Sequence, residues 1–356
     1  MKNEKKIFKF LNINKIYFYN FINILNRFED FISYVMNNPI NGCCVNKVSN
    51  LNKIDLNDSR TLIFVYIDKD DNILLPFKNT KCKKVLMIKK DKYYPDFFDR
   101  VDDLEKDFDV ISPLFWNNHF EKGKYKNVLI PSFGFSKIVL NIKKQKIDFE
   151  KKQDKLFFLG GLTGGYFRFN FFKMLKEVIK DFNIELEVII IKRKKNGKKI
   201  ENFKKEIVDD NFKIINGAMN RREYFNRINK YKYHLCPFGA GEGSHRVLEV
   251  MSLGGIALSH DLDHQDLFGG YKDKVNYLSI GSGDFLNPMN SDESLQKMRD
   301  VLSFITNDNN KEKLVEISSK GMKLYKDYYS VEIGAKKLVY KKYLDKVIKK
   351  INDVNI

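Results

Sequence analysis

The chain has 356 residues, 43% hydrophobic and 14% aromatic, which excludes a disordered polypeptide and allows two domains of ordinary size, each with its own core. Its 64 basic against 46 acidic residues leave a net charge of +18, which favours polyanionic partners without selecting a fold. The excess is mostly lysine beside abundant Asn and Ile, a bias that an AT-rich gene writes as readily as a functional basic surface does.

The N-terminal stretch MKNEKKIFKFLNINKIYFYNFINILNRF is aromatic and aliphatic, but Lys9, Asn12, Asn14, Lys15, Asn20 and Asn23 interrupt it. No apolar run there reaches signal-peptide or membrane-span length. It is expected to be an amphipathic helix packed on the N-terminal domain, with a peripheral place on a membrane as the alternative. TLIFVYID (61–68) and KKVLMIK (83–89) are compact apolar runs of the kind that form buried parallel strands. The short runs DVISPLF and NVLIPSFGF continue a small α/β domain over residues 1–145. Residues 141–155 are charged without a strong apolar face, and a domain boundary is placed there.

A βα unit opens the second domain, residues 156–330. LFFLGG (156–161) reads as a strand, 162–167 as a glycine-bearing turn, and 168–182 as an amphipathic helix. The strands ELEVIIIK (185–192) and FKIING (212–217) follow, then a helix from Arg221, the strand YHLCPF, a helix from about Ser244 and the strand GIALSHD. Strands alternating with helices imply a parallel sheet with ligands at the carboxyl ends of its strands. The C-terminal residues 331–356 have helical apolar spacing.

The segment HLCPFGAGEGSHRVLEVMSLGGIALSHD (234–261) is the part best suited to a charged ligand. Gly239, Gly241 and Gly243 let the backbone approach a ligand closely, and the helix beginning near Ser244 presents free amides and the positive end of its dipole. Ser244, His245 and Arg246 add donors, and Val247 three residues after Ser244 means that no capping box occupies those amides. Glu249 lies five residues beyond Ser244, roughly 7 Å along the axis, which is the span from a diphosphate to ribose hydroxyls. The turn at 160–165 is a second candidate phosphate contact, with Thr163, Gly164 and Gly165 in the loop and Arg168 reaching in; Lys192, after the next strand, is a weaker one. Four of the five histidines fall within 31 residues, but His260, Asp261, Asp263, His264 and Asp266 lack metal-ligand spacing, and no metal is expected.

On Cys236-Pro237-Phe238-Gly239, then Ser244-His245-Arg246-Val247-Leu248-Glu249, then a small-residue break and a strand, this segment resembles the nucleotide-sugar site of GT-B glycosyltransferases, most like the exostosin-type and related branches. The resemblance implies two Rossmann-like α/β domains facing a cleft, with the C-terminal helix 331–356 crossing back to the N-terminal domain. It places Gly241, Gly243, Ser244 and Arg246 on the donor diphosphate, Glu249 on the ribose, residues Gly217 to Met219 beside the base and Asp261 beside the sugar. It further implies metal-independent transfer from a UDP-sugar, or a GDP-sugar, to a glycan, glycoprotein or small-molecule hydroxyl. If configuration inverts, a base is needed from the N-terminal domain. Asp91 is the first choice there, with Asp68 and His119 as alternatives.

A nucleic-acid glucosyltransferase is a variant motivated by the charge, and a non-catalytic nucleotide- or glycan-binding module is the reading from another class. A dehydrogenase ranks last, because 160–165 lacks the G-x-G-x-x-G spacing and Lys192 and Arg193 follow ELEVIII where an acidic residue is required. Cys43 and Cys44 are adjacent, Cys82 and Cys236 isolated, and no Cys-x-x-Cys occurs, so a reducing, cytoplasmic compartment is expected.

Overall fold

A computed structural model describes residues 13–20, 26–38, 43–67, 76–88, 101–113, 127–129, 148–161, 166–192, 212–216, 219–237, 245–262, 270–281, 292–330 and 333–353. The chain divides into two compact units, one formed by Met1–Ser136 with Glu332–Ile356 and the other by Lys137–Val331. Among the described residues no helix is long and apolar enough to cross a membrane.

The first unit holds a five-stranded parallel sheet in the order β2-β1-β3-β4-β5, formed by β1 (Lys15–Tyr19), β2 (Cys44–Val48), β3 (Thr61–Ile67), β4 (Lys83–Ile88) and β5 (Val110–Pro113). All seven residues of β3 are buried, as a central strand covered on both faces requires. One face carries α1 (Asn26–Asn37) and the C-terminal α8 (Ile333–Asp353). There Phe18 stacks on Phe64 with ring centroids 5.0 Å apart, and Phe31 meets Tyr343 edge-on at 5.4 Å. The Tyr343 hydroxyl and Ser112 Oγ, both buried, share a hydrogen bond of 2.6 Å that ties α8 to β5. On the other face Ile63, Val65 and Leu86 pack with Phe77, Phe108 and Leu104, the last from α2 (Val101–Asp107).

One expectation fails in this unit. Residues 15–19, taken above as part of an amphipathic helix, form β1, which pairs with both β2 and β3. KIYFY alternates, with Ile16 and Phe18 buried and their neighbours half-buried, which is the two-residue period of a strand. Helix begins only at Asn26 among the described residues.

In the second unit six strands run parallel: β6 (Gln153–Gly160), β7 (Glu185–Lys192), β8 (Phe212–Asn216), β9 (Tyr231–Cys236), β10 (Ile256–Ser259) and β11 (Leu278–Ser279). Their order is β11-β10-β9-β6-β7-β8. The chain therefore grows from β6 through β7 to β8 on one side, then returns to set β9 against β6 and grows the other way. That reversal is the switch point of a Rossmann sheet, and the crevice beyond the carboxyl ends of β6 and β9 is where such sheets take ligands.

Helix α3 (Tyr166–Val178) packs with α6 (Asp292–Thr306), and an Arg299–Asp181 ion pair joins α6 to the turn after α3. Helix α5 (His245–Ser252) packs with α7 (Lys311–Leu324) and the π-helical turn Tyr325–Tyr329 that continues it. The short α4 (Arg221–Ile228) lies against β6 and β9, its N-terminus capped by Asn220, whose side chain accepts from Arg222 N at 2.8 Å. Helix α5 ends on Gly254 at φ +70°, where an L side chain is strained. The amides of Gly254 and Gly255 close the helix by donating to Met251 O at 3.1 Å and Val250 O at 3.0 Å, and the chain turns at once into β10.

Candidate functional site at the carboxyl ends of β6 and β9

Two arginines cross the switch point from opposite directions. Arg168, in the first turn of the helix that follows β6, is 6% exposed; its Nη1 donates to Gly161 O at 2.5 Å and its Nη2 to Pro237 O, past the end of β9, at 3.4 Å. Arg246, in the first turn of the helix that follows β9, is half-buried and sends Nη2 back to Leu159 O near the end of β6, at 2.5 Å. Both guanidiniums lie over the Phe158 ring, the Arg246 carbon 4.4 Å and the Arg168 carbon 5.8 Å from its centroid. Arg168 thus joins the turn after β6 to the residue after β9, Arg246 ties α5 back to the end of β6, and both cations lie over one aromatic ring.

Glu249 sits on the second turn of α5, half-buried, and its Oε2 accepts a 2.6 Å hydrogen bond from the Tyr224 hydroxyl of α4. The Arg246 charge also acts on the Tyr224 phenol, which places the three groups in one electrostatic cluster. Sequence reasoning missed Tyr224; the only signal was an aromatic in the first turn of the helix before the YHLCPF strand.

Electrostatically the floor is cationic. Burial, then the charge of Arg246, pushes the Arg168 pKa down. Burial also works against the charge on Arg246, but the Tyr224 hydroxyl, the Cys236 thiol and Glu249 more than offset it and hold its pKa above the ordinary value. Neither guanidinium gives up its proton at neutral pH. Burial raises Tyr224 well above the usual phenol range and Cys236 to about 12, so both are neutral. Among the described residues of the cluster two positive charges stand beside one carboxylate, an arrangement suited to an anion.

The histidines have structural surroundings. Burial lowers both His234 and His260 to about 3, keeping them uncharged. His234 Nε2 lies 3.0 Å from Tyr231 O, and His260 Nδ1 lies 3.3 Å from Gly281 O. Asp261, two residues after β10, is half-buried; its Oδ1 accepts from Ser279 Oγ and its amide donates to Gly281 O at 3.1 Å. Among the described residues no group of three or more His, Cys, Asp or Glu is arranged to hold a metal ion.

Of the remaining candidates, Met219 is half-buried just before α4, at the carboxyl-end side of β8. Lys192 closes β7 and His245 opens α5, which places both backbones at the carboxyl edge. Thr163, Gly164, Gly165, Gly217, Gly241, Gly243 and Ser244 lie outside the described residues, as do Asp91, Asp68 and His119. A separate cavity of about 890 Å³, lined by Asp154, Lys232, Tyr233 and Asp308 among others, is at the amino ends of β6 and β9 and takes no part in this cluster.

In sequence the chain matches no protein-family model and none of the curated proteins. In structure it is similar to a glycosyltransferase from Rickettsia africae ESF-5, with a TM-score of 0.53 and 8% identity over 94% of this chain and 99% of that one. It is similar also to Anabaena Alr3699/HepE in complex with UDP and glucose, with a TM-score of 0.52 and 9% identity over 92% of this chain and 99% of that one. For the same Anabaena protein with UDP-glucose the TM-score is 0.51 at 9% identity, over 93% and 98% of the two chains. These likenesses span nearly the whole of each chain, and the fold they share with this protein is that of GT-B glycosyltransferases, two Rossmann-like domains built on parallel sheets.

Proposed function

We propose that this chain is a glycosyltransferase that moves a sugar from a nucleotide-diphosphate sugar to an acceptor hydroxyl. The observation that carries the proposal is the cluster of Arg168, Arg246 and Glu249 at the switch point of the second sheet, beside the N-terminus of α5. Paired guanidiniums and a helix N-terminus suit a diphosphate, and a carboxylate on the next turn suits ribose hydroxyls. The solved complexes of the Anabaena protein with UDP and glucose and with UDP-glucose support the same ligand class here.

In mechanism, the departing nucleoside diphosphate gains negative charge as the glycosidic bond breaks, and the two arginines with the α5 amides would stabilise it there. Cations fixed before the reaction need no reorganisation during it, so metal-independent transfer is part of the proposal. UDP is favoured over GDP. Gly241, Gly243, Ser244 and His245 would complete the phosphate cradle, with Thr163, Gly164, Gly165 and Lys192 on the other side of the crevice. Gly217 and Met219 would border the base, and Asp261 the sugar. The first unit would bind a glycan or glycoprotein acceptor, with Asp91 as base if configuration inverts; the exostosin-type branch is the assignment within the superfamily.

Titration calorimetry with UDP, GDP and UDP-glucose, each with EDTA and with magnesium, tests this. UDP binding in EDTA that weakens about tenfold or more in both Arg246→Ala and Glu249→Ala is expected, since each removes a charge-assisted contact. Absence of binding to any nucleoside diphosphate would falsify the proposal. Binding without hydrolysis of the sugar nucleotide or transfer to any acceptor would leave a binding module in place of an enzyme.

A further inference from the structure

We infer that Tyr224 is a positioning residue that sets the Glu249 carboxylate for the donor ribose; the inference rests on the nucleotide-sugar reading above. Arg246 and Glu249 are three residues apart on α5, the spacing at which an acid and a base on one helix face pair directly. Glu249 is also held from a second helix: the Tyr224 hydroxyl, from α4, donates to Glu249 Oε2 at 2.6 Å.

A protonated phenol has one O–H to donate, and here the carboxylate receives it. The Tyr224 ring is itself fixed, meeting Phe225 edge-on with centroids 5.1 Å apart, and α4 is anchored by the Asn220 cap. With Oε2 held from a separate element, the end of a flexible side chain has one preferred placement, and its remaining lone pairs are directed by that bond. Burial keeps the phenol protonated through the working pH range, so the donor to Glu249 is permanent.

The residue therefore acts on one part of the donor. The readout is the preference for UDP over 2′,3′-dideoxy-UDP, which lacks the ribose hydroxyls. Wild-type protein is expected to prefer UDP by about tenfold, the worth of one charge-assisted hydrogen bond. In Tyr224→Phe, which keeps the ring, the preference is expected to fall to about threefold or less, and Tyr224→Phe should add nothing further once Glu249→Gln is present. A merely structural role would weaken both nucleotides equally and leave the ratio unchanged, which overturns the inference while the donor reading stands. Wild-type protein that binds UDP and its dideoxy analogue equally overturns the ribose role, and wild-type protein that binds neither overturns the donor reading and the inference with it. Should Tyr224→Phe not fold, Glu249→Asp takes its place, since one methylene fewer draws the carboxylate away from the hydroxyl; loss of the preference is expected, and its retention overturns the inference.

Discussion

Arg168 ties together the two turns that flank the proposed donor site. Its guanidinium joins Gly161 O to Pro237 O, across the two βα turns that flank the crevice. A lysine keeps the charge but lacks the planar fork that reaches both carbonyls. Arg168→Lys is accordingly expected to weaken UDP about tenfold, and unchanged affinity by calorimetry would remove Arg168 from the donor site.

The buried histidines carry a different consequence. His234 and His260 have folded pKa values near 3 against an ordinary 6.5, so on acidification the unfolded chain takes up protons that the folded one refuses. Their contribution is full above about pH 6.5 and is lost progressively as pH falls towards 3, by up to about 1.4 kcal/mol per pH unit for each group. Urea unfolding at pH 7 and pH 5 measures this; a His260→Phe variant should show a shallower acid dependence, and an identical slope would show that His260 does not contribute. At this scale Arg246 and Glu249 were legible from their spacing in the sequence. Tyr224 was not, because the contact joins residues 25 positions apart on two helices and no local rule links them.

Among the elements, β3, β4 and β6 could be read directly, since TLIFVYI, KKVLMI and the LFFLG part of β6 are apolar runs too short for helices and rich in β-formers. β1 could not. KIYFY sits among Asn and Lys residues within an apolar stretch that also supports a helical period, and pairing with β2 and β3 decided in favour of the strand. The break Ser-Leu-Gly-Gly after α5 has a conformational reason: only glycine takes φ +70° without strain, and the turn sets β10 beside β9. Gly254→Ala is expected to cost about 1 kcal/mol, read as a lower urea midpoint at constant m; an unshifted midpoint would mean the turn relaxes. Likewise Tyr343→Phe breaks the Ser112 contact within a packed interface and is expected to cost about 1–2 kcal/mol, while leaving nucleotide affinity unchanged.

At the level of the whole molecule, each unit has its own parallel sheet and its own core, and the proposed donor site belongs to the second alone. UDP should therefore slow amide exchange at the carboxyl ends of β6 and β9 and in α5, and leave β3 and β4 of the first unit unaffected. Protection confined to the first unit would place the nucleotide elsewhere.

By itself the sequence determined that the chain is α/β and that its second half is a run of βα units, with a strand ending at Cys236, a helix from His245 and a further strand from Ile256 within the segment proposed for the donor. Those properties are local: they depend on periodicity, on glycine and on which residue types stand three to five positions apart. The tertiary structure decided the rest. Strand order put the ends of β6 and β9 side by side, which set the Arg168 and Arg246 guanidiniums both over the Phe158 ring, and the packing of α4 brought the Tyr224 hydroxyl onto Glu249. The reason is that the ends of parallel strands become neighbours only through long crossovers, so which charges meet there is set by the order of the sheet and not by their spacing along the chain.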